Sequence, residues 1–199
     1  MDWNNLKSFT LPRPHLVIDN FLTEKENHNF YSIIEHYEPQ LKRGRMLKDG
    51  ITLESWTKRN WNVGIGRNEI INRTLQHNLF TPDLKKYFLE HRDPIYQTIL
   101  DTNTDDTLIS VYKDGDYYGY HKDLVHHLTA VYMLCKEPQT FSGGDFVLKY
   151  NNEVKAIAFK NNRLLLFPGT TDHAVKIVRT KTDKLEDARI SIQYWAHRR

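Results

Sequence analysis

Cysteine, long apolar runs and one-sided charge are what this sequence has least of, and each shortage closes off a class of protein. A single cysteine, Cys135, in 199 residues excludes an internal disulfide framework. It sits in the apolar run Ala130 to Cys135, where a small buried thiol is expected rather than a nucleophile. No stretch approaches the roughly 18 consecutive apolar residues that span a bilayer. The opening residues, Met1-Asp2-Trp3-Asn4-Asn5, lack the basic start and apolar centre of a secretory signal. A cytoplasmic location with no membrane partner is the expectation, and the Asn72-Arg73-Thr74 sequon then carries no glycan. The net charge of +3 falls short of the dense basic surface of a dedicated nucleic-acid binder. Its excess gathers in Lys42, Arg43, Arg45, Lys48, Lys58 and Arg59, which read as a solvated loop or a surface for an acidic partner.

What is present suits one domain over residues 1–199 with a full apolar core. The first half carries helix signals. Thr23-x-x-Glu26 is a capping box ahead of Phe30, Ile33, Ile34 and Tyr37. Thr81 and Pro82 open a second helix through Leu84, Tyr87 and Phe88 towards Ile95 and Ile99, with Pro94 bending or dividing it. Between them, residues 39–66 read as a long irregular stretch broken by Gly44, Gly50, Gly64 and Gly66. Its trailing part, with Trp56 and Trp61, alternates enough to hide one or two strands, and residues 41–66 are a candidate substrate lid.

From Thr107 the texture turns to strand. Seven short segments qualify, at 108–112, 128–134, 146–150, 154–159, 163–167, 174–178 and 190–195. The predicted fold is mainly β with flanking helices, a jelly roll packed on N-terminal helices, with residues 1–106 as helical support and lid and 107–199 as the core.

Ten histidines and fifteen aspartates make a lone His-x-Asp a chance event, and the chain has two. His91-Arg92-Asp93 lies in the second helical segment, where residues two apart diverge by about 200°; it is assigned to the helix surface. His121-Lys122-Asp123 follows a strand, and in extended backbone such residues share a face. His173 opens another strand after the Phe167-Pro168-Gly169 turn and is the natural third ligand. Two histidines and one carboxylate on one face of an octahedron leave positions open, which suits Fe(II) and O₂. Arg189, Ser191 and Trp195 share one face of the last strand, while Ile190 and Ile192 take the other. His126 and His127 precede a strand, where supporting roles are commoner than ligation, and His15, His28, His36, His77 and His197 have no partner at ligand spacing.

Several of these motifs occur together and in order: Tyr112-x-x-Gly115-x-x-Tyr118-x-x-His121-x-Asp123, Thr129 to Leu134, Gly143-Gly144-Asp145-Phe146, Leu166 to Gly169, His173-Ala174-Val175, and Arg189-x-Ser191-x-x-x-Trp195. Residues 108–199 thereby resemble the prolyl 4-hydroxylase-like branch of the 2-oxoglutarate/Fe(II) dioxygenases. The resemblance implies a cupin-like double-stranded β-helix, with His121, Asp123 and His173 holding Fe(II). It implies Arg189 on the distal carboxylate of 2-oxoglutarate, and Tyr112, Tyr118, Ser191 and Trp195 about the cofactor. The sixteen-residue gap from His173 to Arg189 exceeds the usual ten or so, a difference attributed to a polar hairpin at 181–187; Arg179 is the rival arginine. O₂ and 2-oxoglutarate are the implied co-substrates, ascorbate a further cofactor, and peptidyl proline or a free amino acid the substrate. A nucleic-acid substrate is disfavoured. A metal-binding sensor without turnover, and a cupin-type enzyme using no 2-oxoglutarate, are the competing classes.

Overall fold

The structure is a computed structural model that describes residues 3–44, 46–48, 51–53, 58–67 and 69–198. In chain order it begins with β1 (Leu6–Phe9), β2 (His15–Asp19) and α1 (Glu24–Tyr37), then β3 (Lys42–Arg43), β4 (Met46–Lys48), β5 (Ile51–Leu53), β6 (Lys58–Arg59) and β7 (Trp61–Ile65). Three helices follow, α2 (Ile70–Leu79), α3 (Pro82–Glu90) and α4 (Ile95–Leu100), then β8 (Thr104–Tyr112), β9 (Tyr117–His121) and β10 (Leu128–Leu134). The chain ends with β11 (Ser142–Gly143), β12 (Phe146–Tyr150), β13 (Glu153–Ile157), β14 (Arg163–Pro168), β15 (Asp172–Val175), β16 (Val178–Arg179) and β17 (Arg189–His197).

Two antiparallel sheets face each other. The major sheet runs β1-β2-β14-β10-β17-β8-β7-β3 and the minor one β13-β12-β15-β9-β6. This is the expected jelly roll. β10 is central and buried along its whole length, which explains why its sequence is continuously apolar rather than alternating. One face of the major sheet, including Ile109, Ala130, Tyr132, Leu166, Ile190 and Ile192, packs on the helices. The other, including Tyr112, Val131, Met133 and Phe167, packs against Phe146, Leu148 and Val175 of the minor sheet.

The helix starts behave as their residues dictate. Thr23 and Glu26 form the reciprocal capping box, and the Thr81 hydroxyl caps α3. The second helical segment is divided, α3 ending at Glu90 and α4 starting after Pro94. His91 is exposed, but Asp93 is not on a helix surface: it is buried in the turn, accepting from Ser8 Oγ at 2.6 Å and from the Ile95 amide at 3.0 Å. A buried carboxylate can sit there because it joins β1 to the start of α4.

Four expectations need correction. The N-terminal half is not only helical support, since β1, β2, β3 and β7 extend the major sheet on both edges. The 39–66 stretch is largely strand. β7 pairs with β8, β6 with β9, and β4 with β5, while Trp56, Arg45 and Gly50 lie outside the described residues. The segment 174–178 is two strands, because the chain leaves β15 at Lys176, whose amide donates to the Asp145 carbonyl, and re-pairs as β16 with β11. Residues 181–187 form no hairpin; they turn around Asp187, which accepts from the Thr140 and Thr182 hydroxyls at 2.6 and 2.5 Å, and bury Leu185.

Arg43 and Arg59 are exposed, but they lie on strands rather than in a loop and each has a carboxylate partner. Both converge on the buried Asp116, at 3.0 and 3.3 Å, and so tie β3 and β6 to the turn before β9. A second buried carboxylate, Asp105, joins helices to sheet: it accepts from Asn72 and Gln76 of α2 at 3.1 Å each and from the Tyr194 hydroxyl at 2.9 Å. Asp105→Ala strands the buried Tyr194 hydroxyl, while Asn72 keeps the Thr107 hydroxyl at 2.7 Å and the exposed Gln76 amide can turn to water. One buried unsatisfied group costs about 1–3 kcal/mol, so urea unfolding of this variant should show a midpoint lowered by an amount equivalent to about 2 kcal/mol at unchanged m-value.

Candidate metal centre

His121 closes β9 and His173 lies in β15, and the two are direct cross-strand partners. The pairing is irregular: Val175 opposes Tyr118, so three residues of β9 span the place of two on β15. In an unbroken strand Tyr118 and His121, three apart, would face opposite ways. The bulge turns both to the inner face, where their rings stack at 3.6 Å and 16°. Asp123 follows just past the strand end. Its amide donates to the Gly169 carbonyl at 2.8 Å, and the Gly169 amide in turn donates to the His127 carbonyl. A Cβ at Gly169 would meet the His126 carbonyl oxygen at 2.1 Å, so only glycine lets the two turns lie this close.

The three side chains converge. Their ligand atoms all lie within 4.8 Å of one another, with His173 Nε2 3.5 Å and His121 Nε2 3.9 Å from the Asp123 carboxylate. Each histidine has its Nδ1 against a backbone carbonyl at 2.9 Å, Gly119 for His121 and Thr171 for His173. A carbonyl only accepts, so Nδ1 carries the proton and each Nε2 lone pair turns to the common centre. Burial holds both imidazoles below their usual pKa, which keeps them neutral and able to ligate at physiological pH. Asp123 Oδ2 accepts from Thr129 Oγ1 at 2.8 Å and from Trp195 Nε1 at 2.9 Å, leaving Oδ1 on the His121 side. His126 stacks on Trp195 at 5.1 Å, a supporting position.

The triad opens onto a cavity of about 500 Å³ lined also by Lys58, Ser110, Tyr112, Tyr118, Val131, Phe146, Gln193 and Trp195. Beneath it, against the Tyr112 ring at 5.0 Å, lies the wholly buried Arg189. Its Nε donates to the Gly144 carbonyl at 2.7 Å and Nη1 to the Ser191 hydroxyl. Among the described residues, Nη2 of Arg189 and the Tyr112 hydroxyl have no hydrogen-bond partner although both are buried. Burial lowers the guanidinium pKa but leaves it charged at neutral pH. A buried cation with an unmet donor fits an anionic ligand, and two imidazoles with one carboxylate fit Fe(II). Arg179, the rival, is exposed and 3.9 Å from Asp114.

Every predicted site residue therefore meets here. Missed were Lys58, Ser110, Gln193, Thr129 and Gly144. Gly144 had a signal: it adopts φ +70, and a Cβ would meet Arg189 Cδ at 2.6 Å, so the Gly143-Gly144 pair gives the arginine its room. Gln193 had the strand parity it shares with Arg189, Ser191 and Trp195, whereas Lys58 had none, since its place depends on the pairing of strands far apart in sequence.

Residues 107–197 match the family model described as the 2OG-Fe(II) oxygenase superfamily. No curated protein sequence matches the chain. Among solved structures, a Pseudomonas putida prolyl-4-hydroxylase aligns with TM-score 0.67 and 13% identity, covering 93% of this chain and 92% of that one. A Trichoplax adhaerens prolyl hydroxylase, in complex with a hypoxia inducible factor peptide fragment, gives 0.64 and 18%, covering 92% and 83%. The collagen prolyl hydroxylase of Paramecium Bursaria Chlorella virus-1, a 2OG complex, gives 0.56 and 15%, covering 93% and 96%. At these identities the likeness is one of fold.

Removing the Asp123 carboxylate takes away one of three charged or lone-pair donors and leaves Thr129 and Trp195 unpaired. Asp123→Ala should lose stoichiometric Fe(II) binding in an anaerobic titration. Thr129→Val should weaken it by about 10-fold, the usual effect of a lost group behind a ligand.

Proposed function

From the match of residues 107–197 to the 2OG-Fe(II) oxygenase superfamily model, we propose that the chain is such an oxygenase and that it hydroxylates a C–H bond of a peptidyl proline or a free amino acid. The observation that carries the reading is the pairing of a convergent His-Asp-His triad with a buried arginine whose Nη2 is unmet among the described residues. Fe(II), when bound, would activate O₂ with 2-oxoglutarate as the two-electron co-reductant: one oxygen atom enters succinate as CO₂ leaves, and the other turns the C–H bond into C–OH.

The chain's part is to bind, orient and exclude. His121, Asp123 and His173 would hold the metal, their ligand atoms converging where the triad lines the cavity. Arg189 takes the distal carboxylate of 2-oxoglutarate with Nη2, its other nitrogens being fixed by Gly144 and Ser191. The Tyr112 hydroxyl is a second donor at that end; burial raises its pKa, so it stays protonated. Val131, Phe146 and Val175 line the walls and keep water from the reacting groups. The cavity has room for 2-oxoglutarate and a substrate group about the size of one residue. The proline-hydroxylating neighbours, one of them holding a peptide fragment, favour a peptide or amino-acid substrate. A competing sensor without turnover could also bind an anion at Arg189, and succinate production separates the two readings.

The test is succinate production from 2-oxoglutarate with Fe(II) in air, followed by NMR, with and without a proline peptide or L-proline. Iron-dependent succinate is expected, increased by one of the two additions. Arg189→Ala should raise the 2-oxoglutarate concentration needed by about 100-fold or more, as for loss of one partner of a buried charged pair. Arg179→Ala should leave it unchanged. Protein that binds iron yet makes no succinate under any of these conditions would contradict the proposal.

A further inference from the structure

Along its inner face β17 carries Arg189, Ser191, Gln193 and Trp195 in turn. Arg189 and Ser191 belong to the anchoring end and Trp195 to Asp123, which leaves Gln193 between them without a part in the reading above. Its surroundings give it one. Gln193 Oε1 accepts from the Ser110 hydroxyl at 3.1 Å. Ser110 also faces the Asn62 amide at 2.8 Å, and a hydroxyl has a single proton to give.

The direction of this chain is set at its far end. Lys58 is an ammonium, which only donates. With the Asn62 amide turned so that its oxygen accepts from Lys58 Nζ at 3.0 Å, its nitrogen donates to the Trp61 carbonyl at 3.0 Å and to Ser110 Oγ at 2.8 Å. The Ser110 proton then goes to Gln193. Every link points the same way, from Lys58 through Asn62 and Ser110, and the Gln193 oxygen is committed to Ser110. The two amide protons of Gln193 are the donors left over at the end of this chain, and Lys58, Ser110 and Gln193 all line the cavity. Such an end calls for an acceptor oxygen.

A ligand held at Arg189 and reaching the triad lies along this same face of β17 and passes Gln193. We propose that Gln193 is a 2-oxoglutarate-binding residue: its Nε2 donates to a carboxylate oxygen at the metal-side end of the molecule. Asn62 and Ser110 are positioning residues that decide which end of the amide faces inward. This rests on the oxygenase reading. It adds a polar contact at the end of 2-oxoglutarate opposite Arg189, drawn from three further strands, β6, β7 and β8.

The test is calorimetric titration of 2-oxoglutarate into anaerobic Fe(II)-loaded protein. Gln193→Leu, which keeps the bulk and loses the donor, should raise the dissociation constant about 10-fold, as for a lost hydrogen bond to a charged group. Gln193→Glu should raise it further, because a carboxylate then faces a carboxylate. Ser110→Ala frees the amide to turn and should cost about 3-fold, while Ser110→Thr keeps the hydroxyl and restores affinity, which a packing role would not. Iron affinity should stay within about 2-fold throughout, since none of these groups touches the triad's ligand atoms. If the unaltered protein takes up no 2-oxoglutarate, this inference and the oxygenase reading both fall. If it does and the Gln193 variants bind within about 2-fold of it, this inference alone is overturned.

Discussion

The cross-strand contact of His121 with His173 is the constraint on which the site depends. Two antiparallel strands bring the imidazoles together only in this register, and a slip of one residue would turn one of them outward. The register is held by neighbours that are themselves fixed. β15 pairs on its other side with β12, where Leu148 opposes His173, and Phe146 stacks on the His173 ring at 5.4 Å. The bulge in β9 then adds Tyr118 to the same face without moving His121. Asp123 completes the set from outside the sheet, so it needs its own support, and the Gly169 turn, Thr129 and Trp195 supply it.

A second constraint runs through β17. Its outer residues, Ile190, Ile192, Tyr194 and Ala196, are buried among the helices, while its inner ones carry the polar chemistry. Packing on one face thus fixes the direction of Arg189, Ser191, Gln193 and Trp195 on the other. The Asp105 network reinforces this from behind, because Tyr194 joins it in the same strand. Stability and site geometry are coupled here: whatever loosens the helices from the major sheet also loosens the residues that face the cavity.

How much of this could be read in advance follows from which interactions are local. His121 and His173 were legible from the strands and turns that flank them, and Asp123 from its His-x-Asp spacing, although it lies past the end of β9 rather than on its face. Arg189 was legible because alternation separates it from Ile190 and Ile192, and the distributed motif fixed the fold. What escaped depended on distant pairing or on weak local signals. α2 has no side-chain cap at Glu69 and is rich in amides and histidine, so nothing marked its start. β1 and β2 are short strands that pair with each other, and β2 joins the sheet only through β14, about 150 residues away in sequence. The stacking of Tyr118 on His121 needs a bulge, which shifts parity by one and leaves no mark in composition. The chain from Lys58 to Gln193 crosses four strands and exists only once they are assembled.

The central claim is that the triad and Arg189 together form one binding site for Fe(II) and 2-oxoglutarate. The most direct measurement is an anaerobic titration of 2-oxoglutarate into Fe(II)-loaded protein followed by visible absorption. A weak, saturable band near 500 nm, roughly where metal-to-keto-acid charge transfer falls, is the predicted result. Iron shown to be bound with no band at any 2-oxoglutarate concentration would contradict it.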